Sequence, residues 1–296
     1  MARPALHIVD VFAEEQYAGN PLAVVLGAGT FDTATMQRFA RETNFSETTF
    51  LLGDEPRAGG WDVRIFTPFA EVPFAGHPTL GTAWVIRQER LGGAGARVVL
   101  HLGVGAVPVD FRSAADGGRE VLWMRQPPPS FGAVRSRDEI APALGLSSEE
   151  LDERFPCQEV STGLPFLLVP LKTLAAVRRC RPQREAYERL VAGRQAQGLF
   201  VFAPEAHDPR NQIHARMFAE LLGVAEDPAT GSANGCLAAW IVEHRYFGQA
   251  AVSAQVEQGY EIGRPSLLRL EAAAEASGIR VSVGGRVFPV ARGELL

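Results

Sequence analysis

Few residues in this chain could do chemistry, and they sit beside glycines that open apolar segments. Glu47 stands in Asn44-Phe45-Ser46-Glu47-Thr48-Thr49-Phe50-Leu51-Leu52, whose alternation predicts a strand with Phe45, Glu47, Thr49 and Leu51 on one face. Desolvation among apolar neighbours raises a carboxyl pKa, and an acid poised nearer neutrality can take a proton and return it. The competing explanation is a surface glutamate at the end of a half-buried strand. His77 follows Gly76 at the start of an apolar segment, as a ligand donor, a proton carrier or a helix-start residue. Asp227 lies in Glu226-Asp227-Pro228-Ala229-Thr230-Gly231-Ser232, where Asp before Pro is first a turn signal. Its functional reading is a hydrogen-bond acceptor for a substrate amine or hydroxyl, opposite His77 across a cleft between domains. Ser232 is not a nucleophile elbow, because the first glycine directly adjoins it; it reads as a helix N-cap.

Other chemistries lack their residues. The six histidines show no HExxH and no ligand-type His/Cys spacing, so no metal is expected. Gly93-Ala94-Gly95 and Gly103-Val104-Gly105 do not continue as a dinucleotide fingerprint, and no P-loop is present. The only lysine, Lys172, follows the apolar run Leu164 to Leu171, which reads as a strand and its exit, against pyridoxal chemistry. No cofactor is expected.

The elements that must position these residues are two helices. Pro78 to Ile86 and Ala233 to Val242 are apolar on nearly every face, the mark of a helix surrounded by protein. Each should be an axis wrapped by strands, beginning at a Gly-containing loop, with Pro78 suited to a first turn. Two buried N-termini with free N–H groups and partial positive charge suit a small carboxylate. The surroundings also repeat. Gly19-Asn20-Pro21-Leu22-Ala23-Val24 recurs as Gly163-Leu164-Pro165-Phe166-Leu167-Leu168, Arg64-Ile65-Phe66 as Arg216-Met217-Phe218, and Gly76 with Ala83-Trp84 as Gly231 with Ala239-Trp240. Three matches in one order suggest a duplicated fold, with chance likeness of apolar strands as the alternative. The breaker cluster Gln126-Pro127-Pro128-Pro129 divides residues 1–126 from 127–296, leaving open whether the last strand returns to the first domain. Val98–Leu102, Val107–Phe111 and Glu120–Met124 read as antiparallel strands. Further helices are expected over Thr33–Glu42, Ser147–Arg154 and Arg184–Arg194.

The chain has 296 residues, 29 basic against 34 acidic side chains, and a net charge of −5. That balance lacks the footprint of a nucleic-acid or anionic-membrane binder. No apolar run approaches the roughly 18 residues of a membrane helix, and the N-terminal apolar stretch is too short for a signal peptide. Cys157, Cys180 and Cys236 show no CxxC spacing and read as reduced thiols, so a cytoplasmic protein is expected.

Asp10-Val11-Phe12 with Gly19-Asn20-Pro21, Phe45-Ser46-Glu47-Thr48, Arg64-Ile65-Phe66-Thr67-Pro68, Glu71-Val72-Pro73-Phe74-Ala75-Gly76-His77-Pro78 and Glu226-Asp227-Pro228-Ala229-Thr230-Gly231-Ser232-Ala233 together resemble the PhzF-like, phenazine-biosynthesis family. The match runs from residue 10 to about 242, and Val283-Gly284-Gly285-Arg286-Val287 extends it. The resemblance implies an α+β, diaminopimelate-epimerase-like fold: two pseudo-symmetric domains, each a curved, mostly antiparallel sheet around a central helix, with the active site between them. It implies Glu47 as catalytic acid/base, with His77, Asp227, Ser232, Gly76 and Gly231 holding a small carboxylate. The implied reaction is cofactor-free isomerisation of trans-2,3-dihydro-3-hydroxyanthranilate, and relatives resembling this chain are often homodimers.

Amino-acid epimerases of the implied fold use two opposed cysteines, and the corresponding places here look like Ala75 and Thr230. A two-thiol racemase is therefore disfavoured. Two other functions stay open: a small-acid-binding protein without activity, and an epimerase using Glu47 against His77 or Asp227. Arg64, Phe66 and Glu71 read as structural.

Overall fold

Short apolar runs become strands, and the segments opening at Gly76 and Gly231 become helices, in a computed structural model that describes residues 3–114, 117–196 and 198–296. The chain divides into two compact units, Met1–Arg125 with Gly284–Leu296, and Gln126–Val283. No helix among the described residues is long and apolar enough to cross a membrane.

The first unit contains β1 (Ala5–Val11), β2 (Asn20–Leu26), β3 (Glu47–Leu51), β4 (Trp61–Phe66), β5 (Glu71–Val72), β6 (Arg97–Leu102), β7 (Gly105–Arg112) and β8 (Val121–Arg125). β1 lies antiparallel to β2 on one side and to the C-terminal strand Val287–Glu294 on the other. From β2 the ladder runs parallel to β3, antiparallel to β4 and β5, parallel from β4 to β6, and antiparallel through β7 and β8. The β1–β2 connection is pinned inside itself. Asp10 Oδ2 accepts from the Tyr17 amide at 2.7 Å, and Gly19 turns at φ 70° where a Cβ would lie 2.4 Å from the Val11 carbonyl oxygen. Only glycine fits that turn.

Two helices complete this unit. α1 (Thr33–Thr43) starts where Asp32 accepts from the Thr35 amide and stops at left-handed Asn44, burying Met36 and Ala40 against Val25, Phe50 and Phe66. α2 (Gly76–Arg90) is buried from Gly76 to Ala83 and again at Val85 and Ile86, and packs against β1, β2, β3, β6, β7, β8 and the C-terminal strand. Gly81 permits this close approach, since a Cβ there would lie 2.6 Å from Leu22 and 2.8 Å from Val11. The apolar faces around α2 explain why its hydrophobic residues do not form a single stripe.

The second unit repeats the scheme. Its strands include β9 (Ser130–Arg135), β10 (Cys157–Ser161), β11 (Pro165–Pro170), β12 (Gly198–Ala203), β13 (Ile213–Ala219), β14 (Val224–Asp227), β15 (Ala251–Gln258) and β16 (Ser266–Glu275), and the strand Gly278–Gly285 follows. β10 pairs antiparallel with β9 and β11, β11 runs parallel to β12, and β12 and β14 flank β13 antiparallel. β13 then runs parallel to β15, which turns back antiparallel into β16. This order of antiparallel and parallel steps is that of the first unit. Both Arg-x-Phe segments reappear in equivalent strands: Arg64 of β4 grips Glu71 of β5, and Arg216 of β13 grips Glu226 of β14, each through two hydrogen bonds.

The helices of this unit are α3 (Arg137–Leu144), α4 (Leu174–Arg179), α5 (Arg184–Val191) and α6 (Gly231–Glu243). α6 is buried from Gly231 to Val242 and packs on β10, β11, β15 and β16. α3, α4 and α5 pack Ile140, Leu144, Val177, Tyr187 and Leu190 together with Leu167, Val169, Leu199 and Val201 of the sheet. The helix expected over Ser147–Arg154 is only a single 3-10 turn, Ser148–Glu150. Ser147 and Glu150 cap that turn, but Leu151 then bridges to Leu171 and the Asp152 amide binds the Pro170 carbonyl, so the backbone joins a sheet edge. α3 and α4 carried no clear sequence signal; Pro142 lies inside α3, and α4 spans only six residues.

Candidate active site

In the first unit, Asn44 at φ 52° ends α1 and sends the chain into β3, whose first residue is Glu47. Successive side chains of β3 alternate. Thr48 and Phe50 turn toward α1, where Thr48 Oγ1 meets Thr43 Oγ1 at 2.9 Å. Glu47 and Thr49 turn toward α2: the Thr49 and Thr82 hydroxyls are 2.7 Å apart, and Glu47 Oε2 is 3.4 Å from His77 Nε2. Two residues of strand and five of helix rise by similar distances, about 7 Å, so both pairs form along one contact.

His77 is buried, and desolvation pulls its pKa down to about 3 despite a hydrogen bond to the Pro21 carbonyl. The ring is therefore neutral. Nε2 makes no ordinary hydrogen bond, so Nδ1–H serves Pro21 and the Nε2 lone pair points at Glu47. Glu47 keeps a side-chain exposure of 19% beside this neutral ring.

The start of α2 leaves donors available. Ala75 at the N-cap has no side chain to offer; its carbonyl receives both the Thr79 amide and hydroxyl, and Pro78 has no N–H. The Gly76 and His77 amides belong to the first turn, whose donors have no intrahelical partner.

In the second unit, Asp227 closes β14 and a short loop leads into α6. The Thr230 hydroxyl donates to Asp227 Oδ2 at 2.5 Å. Fully buried Gln258 clamps the loop: its Nε2 donates to the Asp227 carbonyl at 2.8 Å and to Thr230 Oγ1 at 3.0 Å. Its Oε1 accepts from the Thr230 amide at 3.2 Å and from Asn234 Nδ2 at 3.0 Å. Ser232 is not the N-cap. The helix begins at Gly231 with Thr230 in the cap position, and because the Thr230 hydroxyl is engaged with Asp227, no side chain caps α6. Gly231 and Ser232 thus present first-turn amides, as Gly76 and His77 do in the other unit.

Glu47, Gly76 and His77 cluster within the first unit, and Asp227, Gly231 and Ser232 within the second. Sequence reasoning missed Thr49, Thr82, Thr230, Asn234 and Gln258. A Thr two residues after Glu47 on the predicted face was a usable signal; Gln258, inside an otherwise ordinary strand, had none. The three cysteines are free and buried, and desolvation pushes each thiol up to about 12. Ala75 and Thr230 occupy the N-cap positions of α2 and α6, so neither helix start carries a thiol base.

Residues 9–293 match the family model described as phenazine biosynthesis-like protein, PhzC-PhzF. The chain belongs to that family. A trans-2,3-dihydro-3-hydroxyanthranilate isomerase from Pseudomonas chlororaphis is 36% identical over 293 residues, covering 98% of each chain. An uncharacterized isomerase from Clostridium acetobutylicum is 32% identical over 98% of this chain and 97% of its own. Among solved structures, the PhzF-family phenazine biosynthesis protein of Bacillus anthracis aligns over 100% of both chains, with a TM-score of 0.90 and 27% identity. This PhzF-family chain has the diaminopimelate-epimerase-like fold of its structural neighbours, and the family places it among isomerases.

Proposed function

We propose that this protein is a cofactor-independent isomerase in which Glu47 removes a proton from one carbon of a small cyclic carboxylate and returns it at another. The observation that carries the reading is the Glu47–His77 contact at 3.4 Å, with the imidazole held neutral by burial and oriented by the Pro21 carbonyl. A carboxyl set beside a neutral imidazole can act as base toward one carbon and as acid toward another. In this reading the Gly76, Gly231 and Ser232 amides and the Ser232 hydroxyl hold substrate oxygens. His77 orients Glu47, and Asp227 accepts a hydrogen bond from a substrate amine or hydroxyl. Assembly as a homodimer belongs to the same proposal; sedimentation as a single chain at micromolar concentration would contradict it.

Trans-2,3-dihydro-3-hydroxyanthranilate is the substrate to try first, because the Pseudomonas chlororaphis relative carries its name. Proton NMR in deuterated water should show product with deuterium incorporated by wild type and none by Glu47→Gln. Turnover by Glu47→Gln at the wild-type rate overturns the role of Glu47. No turnover by either protein removes this substrate from the proposal.

A further inference from the structure

The second unit holds a cluster that the proposed reaction does not use. His214 on β13 is fully buried between two carboxylates: its Nδ1 is 3.3 Å from Glu257 Oε2, and its Nε2 is 3.1 and 3.2 Å from the oxygens of Glu261. His207 is exposed on the loop before β13, stacks on Tyr260 with centroids 4.6 Å apart, and meets the His214 ring edge-on at 4.8 Å. One donor atom from each of His207, His214 and Glu261 lies within 4.8 Å of the others. We propose that these three side chains bind a divalent transition cation of the zinc class, with Glu257 orienting His214.

Two imidazoles and a carboxylate are a common ligand set for such a cation, with a fourth position left to water. Bonds of about 2.1 Å in a tetrahedron place ligand atoms roughly 3.4 Å apart, close to the His214–Glu261 spacing already present. His207 has at most roughly 1.4 Å to close, and its exposure supplies both that freedom and the entry path. Glu257 provides the carboxylate–histidine arrangement that fixes ring orientation at metal sites. It is itself held by the His207 and Asp208 amides at 2.7 and 2.8 Å and by Asn211 Nδ2 at 2.8 Å. The cations facing the cluster are Arg178 and Arg216, and Glu226 already neutralises Arg216 in a two-point pair.

The first unit provides an internal control. Its β4–β6 pairing sets Asp62 opposite His101, as β13–β15 sets His214 opposite Glu257, and the Asp62–His101 contact is 3.2 Å. Asp62 is also paired with Arg57, and no third ligand joins them among the described residues. A cross-strand histidine–carboxylate pair thus belongs to the repeated frame, whereas the added His207 and Glu261 belong to the second unit alone.

The test is titration of the untagged, chelator-treated protein with cobalt(II), followed by visible absorption, and with zinc by calorimetry. Wild type should bind one cation per chain at micromolar concentration or tighter, and zinc should raise its thermal midpoint. His207→Ala, at an exposed position, and Glu261→Gln should each weaken binding by about tenfold or more, while His101→Ala binds as wild type does. No saturable binding by wild type, or equal affinity in His207→Ala, overturns the site.

Discussion

The two units share a frame and differ in what the frame carries. β2 runs parallel to β3 with Leu22 opposite Glu47, and β11 runs parallel to β12 with Phe166 opposite Gly198, so the position of Glu47 is glycine in the second unit. β4 sets Ile65 opposite Val72, and β13 sets Met217 opposite Asp227, so the position of Asp227 is valine in the first. The buried clamp Gln258 corresponds by register to Leu102. Each unit therefore has one acid where its counterpart has none, at non-equivalent places. What both retain is the helix start with unengaged amides and the Arg–Glu pair behind it. In the proposed function, duplication kept the two helix starts for anion binding, and divergence gave Glu47 to one unit for proton transfer and Asp227 to the other for hydrogen bonding.

The largest expected effect tests that separation. Glu47→Gln should lower kcat by about 10²–10⁴-fold with little change in KM, and Asp227→Asn should act mainly through KM. Steady-state kinetics on a turned-over substrate measures both, and equal kcat losses from the two variants would erase the distinction. The next effect is on stability. Arg216 is 4% exposed, and removing it strands Glu226 and the Val177 and Cys180 carbonyls it serves. Arg216→Met should cost about 3–5 kcal/mol. Arg64 is 26% exposed and Glu71 41%, so Arg64→Met should cost only about 0.2–1 kcal/mol. Urea unfolding measures the difference, and equal losses would mean that burial does not distinguish the two clamps.

The repeat was legible because it lies in local chemistry. Glycine–x–proline openings, Arg-x-Phe strands and two all-apolar helices are features of short segments, and those segments occupy equivalent places in the two pairing schemes. Glu47, His77 and Asp227 could be selected because acids and a histidine beside apolar runs are unusual. Gln258 and the His207–His214–Glu261 cluster were hidden for the opposite reason. Each joins residues from segments 28 to 47 positions apart, so no spacing rule reaches them. Ser232 was misplaced as a cap because a serine after glycine fits the local rule, while Thr230 holds that position and spends its hydroxyl on Asp227.

Gln258 sharpens the comparison at a smaller scale. Gln258→Leu puts in the second unit the residue type that register assigns to the first. It removes the acceptor of the Thr230 amide and a donor to the Asp227 carbonyl, while Asn234 Nδ2 keeps only its bond to the Thr230 carbonyl, at about 1–3 kcal/mol. Because the loop it clamps carries Asp227, KM should rise more than kcat falls. An unchanged KM with reduced stability would reduce Gln258 to a packing role.

The smallest effect is a slope. Folded His77 titrates at about 3 against an ordinary 6.5, so between those values the unfolded chain holds a proton that the folded chain refuses. Stability contributed by neutral His77 is complete above about pH 6.5 and falls as pH drops through the window, by at most about 1.4 kcal/mol per pH unit. His77→Gln cannot take up that proton in either state. Its deficit relative to wild type at pH 7 should therefore shrink as unfolding is repeated at pH 6, 5 and 4. Ser232 follows the same helix-start glycine in the second unit and carries no titrating group, so Ser232→Ala should run parallel to wild type throughout. Parallel curves for His77→Gln would mean that the imidazole is already accessible to protons in the folded chain. Glu47 would then face a ring able to charge, and the asymmetry between the two helix starts would lose its chemical half.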